Sequence, residues 1–201
     1  RACGFCNVKT GRPEKADWDE PKRVARSVEL MKLKHCVITS VDRDDLDDLG
    51  AGIWENTVKE IKKLNPETTI ETLIPDFDGR DDLILQVINS GPDVVSHNLE
   101  TVRRITPWAR SRAKYDTSLK TLEVIAKSDA VSKSGIMVGL GETFDEVIET
   151  MDDLINIGVE VLTIGQYLQP TKKHLPVMEY ISPERFAEYK TAGLEKGFRF
   201  V

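Results

Sequence analysis

Two thiols lie three positions apart in Cys3-Gly4-Phe5-Cys6. Thiolates at that spacing can reach one metal ion or two atoms of a cluster, and the same spacing serves redox dithiols. A zinc site needs four ligands, and neither a second C-x-x-C nor an H-x3-H completes one. A thioredoxin-like dithiol belongs at the start of a helix after a strand, whereas a Gly11-Arg12-Pro13 loop follows here. From the residues alone the pair reads as metal or cluster ligands, a redox couple or two incidental cysteines. Cys36 opens an apolar run and reads as a small buried hydrophobe.

The other chemistry-bearing groups come in bursts: Thr39-Ser40-Val41-Asp42-Arg43-Asp44, Pro75-Asp76-Phe77, His97-Asn98-Leu99-Glu100-Thr101, Gly139-Leu140-Gly141-Glu142 and Gly165-Gln166-Tyr167-Leu168-Gln169-Pro170. Asp42-Arg43-Asp44-Asp45 reads as a solvated loop or part of a site. His97 reads as a satisfied core histidine or, with Asn98 and Glu100, as pocket lining. Gly139 and Gly141 lack the full G-x-G-x-x-G and any Walker lysine, so they read as points of close backbone approach to a ligand, with Glu142 capping the helix that follows. Lys172-Lys173-His174 and the basic residues from Arg103 to Lys114 read as solvated faces or a docking surface for an acidic partner.

Each burst follows a short β-rich run. The strands expected are 36–41, 69–74, 94–98, 135–138 and 161–164. Between them run helical stripes: Val24, Val28, Met31; Trp54, Val58, Ile61; Ile84, Val87, Ile88; Leu119, Leu122, Ile125; and Val147, Met151, Leu154. Asp19-Glu20-Pro21 and Ser182-Pro183-Glu184 read as helix starts, Ser90-Gly91-Pro92 and Ile157-Gly158 as helix ends. Strands alternating with helices imply parallel βα units with right-handed crossovers. An open doubly wound sheet would gather its functional groups at one switch point. Five successive strand ends carry them here, which favours a partial parallel βα barrel.

The composition fits one domain over residues 1–201. Hydrophobic residues make up 40% and charged residues 31% of the 201, with a net charge of -6. An acidic chain without a long Lys/Arg run is a poor nucleic-acid binder. No run of roughly 20 apolar residues offers a membrane span. The sequence lacks an initial Met and reads as a fragment. No secretory leader opens it, and three cysteines suit a reducing compartment, so a cytoplasmic protein is expected, or a mitochondrial one if a transit peptide preceded Arg1.

The segments Ala2–Val8, Thr39–Leu46, His97–Thr101, Gly139–Glu142 and Gly165–Thr171 together resemble the lipoyl synthases, a family of radical S-adenosylmethionine (SAM) enzymes. The resemblance runs from Arg1 to Val201. It implies an α/β fold with a TIM-barrel-like radical SAM core of six strands, the first lying before Arg1. The family's C-x3-C-x2-C signature holds a four-iron four-sulfur cluster. Its last two cysteines match Cys3 and Cys6, and the first would lie two residues before Arg1. Three thiolates leave one iron open to the amino and carboxylate groups of SAM. One electron then releases a 5'-deoxyadenosyl radical, which abstracts hydrogen from C6 and C8 of a protein-bound octanoyl chain. An auxiliary four-iron cluster, expected only in the full-length protein, donates the sulfurs.

By matching position, the resemblance sets Thr39, Ser40 and Asp42 at the methionyl amino end of SAM. It sets Asn98 and Glu100 at the ribose and carboxylate, the backbone of Met137–Gly139 beside the adenine, and Gln166 and Tyr167 where the pocket closes. The implied partners are octanoylated lipoyl domains or the glycine cleavage H protein, with ferredoxin or flavodoxin as reductant. Arg110 and Arg112 are expected to touch the carrier. A biotin-synthase-like enzyme would instead act on a free small molecule and lack the Gly165–Thr171 pattern, and a zinc-binding βα module would be colourless. With two of three radical-cluster thiolates and no auxiliary ligands, residues 1–201 are expected to be inactive alone. Iron and sulfide analysis after anaerobic reconstitution checks this: the expected result is fewer than the about eight irons of two clusters, and no lipoyl product.

Overall fold

The structure, a computed structural model, describes residues 1–201. Its elements alternate as α1 (Glu20–Met31), β1 (His35–Thr39), α2 (Ala51–Leu64), β2 (Thr69–Leu73), α3 (Asp81–Asn89), β3 (Val94–Ser96), α4 (Thr106–Ala109), α5 (Tyr115–Ala126), β4 (Val131–Val138), α6 (Phe144–Asn156), β5 (Val161–Gln166) and α7 (Pro183–Lys196), with a 3-10 turn at Phe77–Gly79. All five strands are parallel and pair in chain order, β1-β2-β3-β4-β5. Strict sequential order leaves no switch point, so the sheet is a half-barrel rather than a doubly wound sheet. After α7 the chain returns beside β5, where Phe200 bridges to Val161 in the parallel sense.

Register explains which side chains face where. Residues paired across a parallel ladder share a face, and successive residues alternate. Thr39 pairs with Leu73, Leu73 with Ser96, and Ser96 with Lys133. One face therefore carries Thr39, Glu71, Leu73, Ser96 and Lys133. The other carries Cys36, Ile70, Val95, Ile136 and Leu162, all buried beneath the helices. Trp54, Ile84, Val87, Leu122, Ile125, Val147, Met151 and Leu154 supply the helical side of that core. The inner face is polar even where it is buried. Glu71 there accepts two hydrogen bonds from Lys133 Nζ, at 2.8 and 3.0 Å, and one from Ser96 Oγ at 2.8 Å.

Several local expectations need correction. Met31 is exposed: α1 packs chiefly against α2, through Ala25 and Val28 with Val58 and Ile61, and Met31 lies outside that contact. Asp19 stands at the start of α1 in a helical conformation and makes no capping bond. Instead Asp17 accepts a hydrogen bond from the Asp19 amide at 3.0 Å. Glu142 does not cap α6. Thr143 does, in a capping box with Glu146, while Glu142 accepts hydrogen bonds from the Gly139 and Leu140 amides and so closes its own loop. β4 begins at Val131, four residues earlier than expected, because Ser132 and Lys133 still pair with β3. Replacing Thr143 with Ala should lower stability by about 1 kcal/mol, read as a lower urea midpoint with an unchanged slope.

Candidate active site

The C-terminal ends of β1, β2 and β3 and the segment before α1 enclose a cavity of about 450 Å3. Cys3, Cys6, Thr39, Ser40, Asp42, Asn98 and Glu100 all line it, as do Arg1, Asp76, His97 and Arg110. The two cysteines sit on one turn, with the Cys6 amide donating to the Cys3 carbonyl at 3.1 Å, and both thiols are free and partly exposed. No regular element carries this loop, so other segments hold it in place. The Gly4 amide donates to Ala109 O at 2.8 Å, and Gly4 O accepts from the Leu175 amide at 2.9 Å. His174 Nε2 lies 3.0 Å from Cys6 O. A Cβ at Gly4 would meet Leu175 at 2.9 Å, so the glycine lets the two segments touch.

Arg1 anchors the same loop to the strand ends. Its guanidinium donates to Asp44 at 2.9 and 3.0 Å and to Asp76 at 2.8 Å, and lies 3.6 Å from Asp42. Burial alone would raise the Asp76 carboxyl, but the Arg1 hydrogen bond and charge outweigh it and hold it below the usual range. Asp44 is lowered chiefly by its Arg1 hydrogen bond. Asp42 goes the other way: burial raises it, Arg1 opposes without a hydrogen bond, and the Asp44 and Asp76 charges push it further up. Burial likewise raises Cys3, against the Arg110 charge and the Ser111 amide, which lower it.

On the far wall, burial pushes Glu100 up, with Arg110 and an Asn98 hydrogen bond opposing. Glu100 adopts φ 69°, held by its amide on Gly135 O and its carbonyl on the Met137 amide. Gly135 makes room for the neighbouring polar groups, since a Cβ there would stand 2.8 Å from both Asn98 Oδ1 and Thr163 Oγ1. His97 is a satisfied core group on the cavity wall. Its Nδ1 lies 2.8 Å from Ile74 O and its Nε2 2.9 Å from Ser118 Oγ, which also accepts from Arg110 at 2.9 Å. That pattern fits a neutral ring protonated at Nδ1. Burial and Arg110 lower its pKa to about 4.

The remaining sequence candidates stand elsewhere. Met137, Gly139, Gln166 and Tyr167 are outside the lining of this cavity. Gln166 donates to Tyr167 O and Glu179 O and accepts from the Ile181 amide, while buried Tyr167 donates its hydroxyl to Leu175 O. Gly139 is a point of close approach, but to Gln166 and Glu179 O of its own chain rather than to open space. The Arg103–Lys114 surface is corrected in part, with Arg112 and Lys114 remaining exposed. Arg110 is only 8% exposed, so it cannot meet a carrier, and Arg103 and Arg104 are paired with Asp116, Asp153 and Glu146. Sequence reasoning missed Arg1, and also missed the buried role of Arg110. The only sequence signal for Arg1 was the acidic run that holds Asp42 and Asp44, and no local pattern marked Arg110 as buried.

The sequence profile of the Radical SAM superfamily matches residues 1–154. A lipoyl synthase of Bacteroides thetaiotaomicron is 63% identical over 201 residues, spanning all of this chain and 71% of that protein. One from Flavobacterium psychrophilum is 60% identical over 202 residues, spanning 100% of this chain and 70% of its own length.

The chain belongs to the lipoyl synthase family.

Among solved structures, methylornithine synthase superposes with a TM-score of 0.74 at 13% identity, covering 96% of this chain and 58% of its own. Coproporphyrinogen III oxidase from Escherichia coli, titled a radical SAM enzyme, gives 0.66 at 10%, covering 98% and 50%. At such identities these show the fold alone, and it is the radical SAM half-barrel. As a lipoyl synthase family member the chain is a radical SAM sulfurtransferase, which implies SAM and a four-iron four-sulfur cluster. The donors present are two soft thiols on one turn, open to a cavity with polar walls, a pair that suits iron–sulfur ligation, and no third Cys, His, Asp or Glu joins them in a metal-binding group. No helix is long and apolar enough to cross a membrane.

The buried neutral His97 makes the site sensitive to acid. In the unfolded chain the ring binds its proton near 6.5, in the folded chain only near 4. Its contribution to stability is therefore complete above about 6.5 and is lost as the pH falls toward 4, with a slope approaching about 1.4 kcal/mol per pH unit. Urea titrations across this window should show a slope flatter in His97→Gln, less stable at neutral pH, than in the wild type by up to that amount.

Proposed function

We propose that this chain forms one radical SAM core domain, over residues 1–201, of an enzyme that inserts sulfur at C6 and C8 of a protein-bound octanoyl chain to give the lipoyl group. Supporting the family's reaction is the 63% identity to a named lipoyl synthase across the whole chain. The observation that carries the site is convergence: both thiols of the C-x-x-C pair open on the same cavity as Thr39, Ser40, Asp42, Asn98 and Glu100, which arrive from two different strand ends.

In this reading Cys3 and Cys6 hold the cluster. When bound, the cluster and SAM supply the electron and the carbon radical that activates an unreactive C–H bond. The protein's part is binding, orientation and exclusion of water. Thr39 and Ser40 offer hydroxyls at the end of β1, and Asp42 offers a carboxylate to the SAM amino group. Asn98 and Glu100 face them from the end of β3 and take the ribose and carboxylate. Burial raises the Glu100 carboxyl, against the Arg110 charge and the Asn98 hydrogen bond, so it holds a proton more tightly than an exposed glutamate does. The Met137–Gly139 backbone lies next to the strand end that carries Glu100, which fits it to border the adenine. Gln166 and Tyr167 act at one remove, tying down the segment from Leu175 to Ile181 that covers the last strand end.

The substrate carriers in this reading are octanoylated lipoyl domains or the glycine cleavage H protein, and the electron comes from ferredoxin or flavodoxin. The sulfur comes from the auxiliary cluster of the full-length enzyme.

Cys3→Ala or Cys6→Ala in the full-length enzyme should remove the brown colour of the radical cluster and abolish 5'-deoxyadenosine formation from SAM under reducing conditions. Undiminished deoxyadenosine production in either variant would sink the ligand assignment. Asn98→Ala, which keeps both thiols, should retain the cluster but weaken SAM binding by about tenfold, as expected for loss of one buried hydrogen bond; equilibrium dialysis reads this.

A further inference from the structure

The cations of this acidic chain are unevenly spent. On most of the surface they sit in ion pairs, as in Arg23–Asp17, Arg80–Asp82, Arg104–Glu146 and Arg185–Glu188. Around the outer opening, beyond the paired Arg1 and Arg112, several do not. Lys9, Arg12, Lys114, Lys172 and Lys173 are all exposed, and none has a carboxylate oxygen within 4.0 Å.

These residues are far apart in sequence, and the hydrogen bonds that hold the cysteine loop gather them. Lys9 and Arg12 line the outer opening together with Cys3 and Cys6. Lys172 and Lys173 immediately precede His174 and Leu175, which bond to Cys6 O and Gly4 O. Lys114 follows Ala113, part of the cavity wall, on the segment that Ala2 and Gly4 grip through Ser111 Oγ and Ala109 O. The carboxylates at the opening do not cancel this charge: Asp42 faces Arg1, and Glu14 alone is left without a cation. Two apolar side chains are exposed on the same segments, Val8 at 58% and Trp108 at 54%. An exposed tryptophan and valine among unpaired cations match the make-up of a protein-binding surface better than that of a solvated face.

We propose that Lys9, Arg12, Lys114, Lys172 and Lys173, with Val8 and Trp108 among them, form the docking surface for an acidic protein domain that presents a tethered acyl group to the cavity. This rests on the reading that the substrate is protein-bound. The rest of the molecule, net negative, repels such a domain, so the positive collar both attracts it and sets the side from which the acyl arm enters.

The test uses the cluster-loaded full-length enzyme, an octanoylated carrier domain of net negative charge and a short octanoyl-lysine peptide. The variant is Lys114→Glu/Lys172→Glu/Lys173→Glu, and the control is Lys32→Glu/Lys63→Glu, at the opposite end of the sheet. The collar variant should raise KM for the carrier domain by about tenfold or more and flatten its salt dependence, with peptide turnover and the control unchanged. Equal KM and equal salt dependence for the carrier in wild type and variant, with peptide turnover intact, would overturn the proposal, as would tighter binding of a single-stranded RNA than of the domain. If the wild type turns over neither substrate, the functional reading fails instead. Calorimetric binding of the carrier to wild type and variant then still decides the docking question.

Discussion

The site depends on how a loop without secondary structure is held. Residues from Arg1 to Cys6 make no ladder or helical bonds, and beyond the single turn bond from the Cys6 amide to Cys3 O nothing in their own backbone fixes where the two thiols point. Their position comes from three outside anchors: the Ala109–Ser111 segment, the His174–Leu175 segment, and the carboxylates of Asp42, Asp44 and Asp76 around Arg1. The last is the most demanding. A guanidinium taken out of water is costly unless its donors are satisfied, and two strand ends supply the acceptors. The same arrangement keeps three carboxylates close together without a large mutual penalty. The one that receives no hydrogen bond, Asp42, is the one whose acidity weakens.

The half-barrel shows the same division of labour between its faces. The outer face of the sheet and the helices form two apolar clusters, a large one and a smaller one of Ala25, Val28, Cys36, Val58, Ile61 and Ile70, and these stabilise the scaffold. The inner face is polar, with Glu71, Lys133 and Ser96 satisfying one another beneath the cavity and Asn98, Glu100 and Arg110 above them. Buried polar groups of this kind add little net stability but fix geometry, because each must keep its partner. The chain from Arg110 through Ser118 and His97 to Ile74 O does this for the wall of the site, leaving only Arg110 Nε among its groups without a partner.

Much of this was legible in the residues. The number and order of the strands, the helical stripes at Trp54-Val58-Ile61 and Val147-Met151-Leu154, and the gathering of functional groups after strands all follow from local periodicity and turn chemistry, and the structure bears them out. Local rules failed where a longer-range partner competed. Asp19 lost its capping role to Asp17, and Glu142 was drawn to the loop amides behind it rather than to the helix ahead. Basic residues deceived most, because sequence cannot show whether a cation is paired: Arg110 read as a surface charge and is buried.

By itself the sequence determined the family, the βα order and the three-residue spacing of the two thiols, because these rest on residue type and position along the chain. Only the tertiary structure decided which of the polar groups share a cavity, which carboxylates Arg1 engages, and which cations remain free around the opening. Those are matters of through-space distance between segments far apart in sequence. The energy of a charge depends on the neighbours and burial it finds there, which no local pattern encodes.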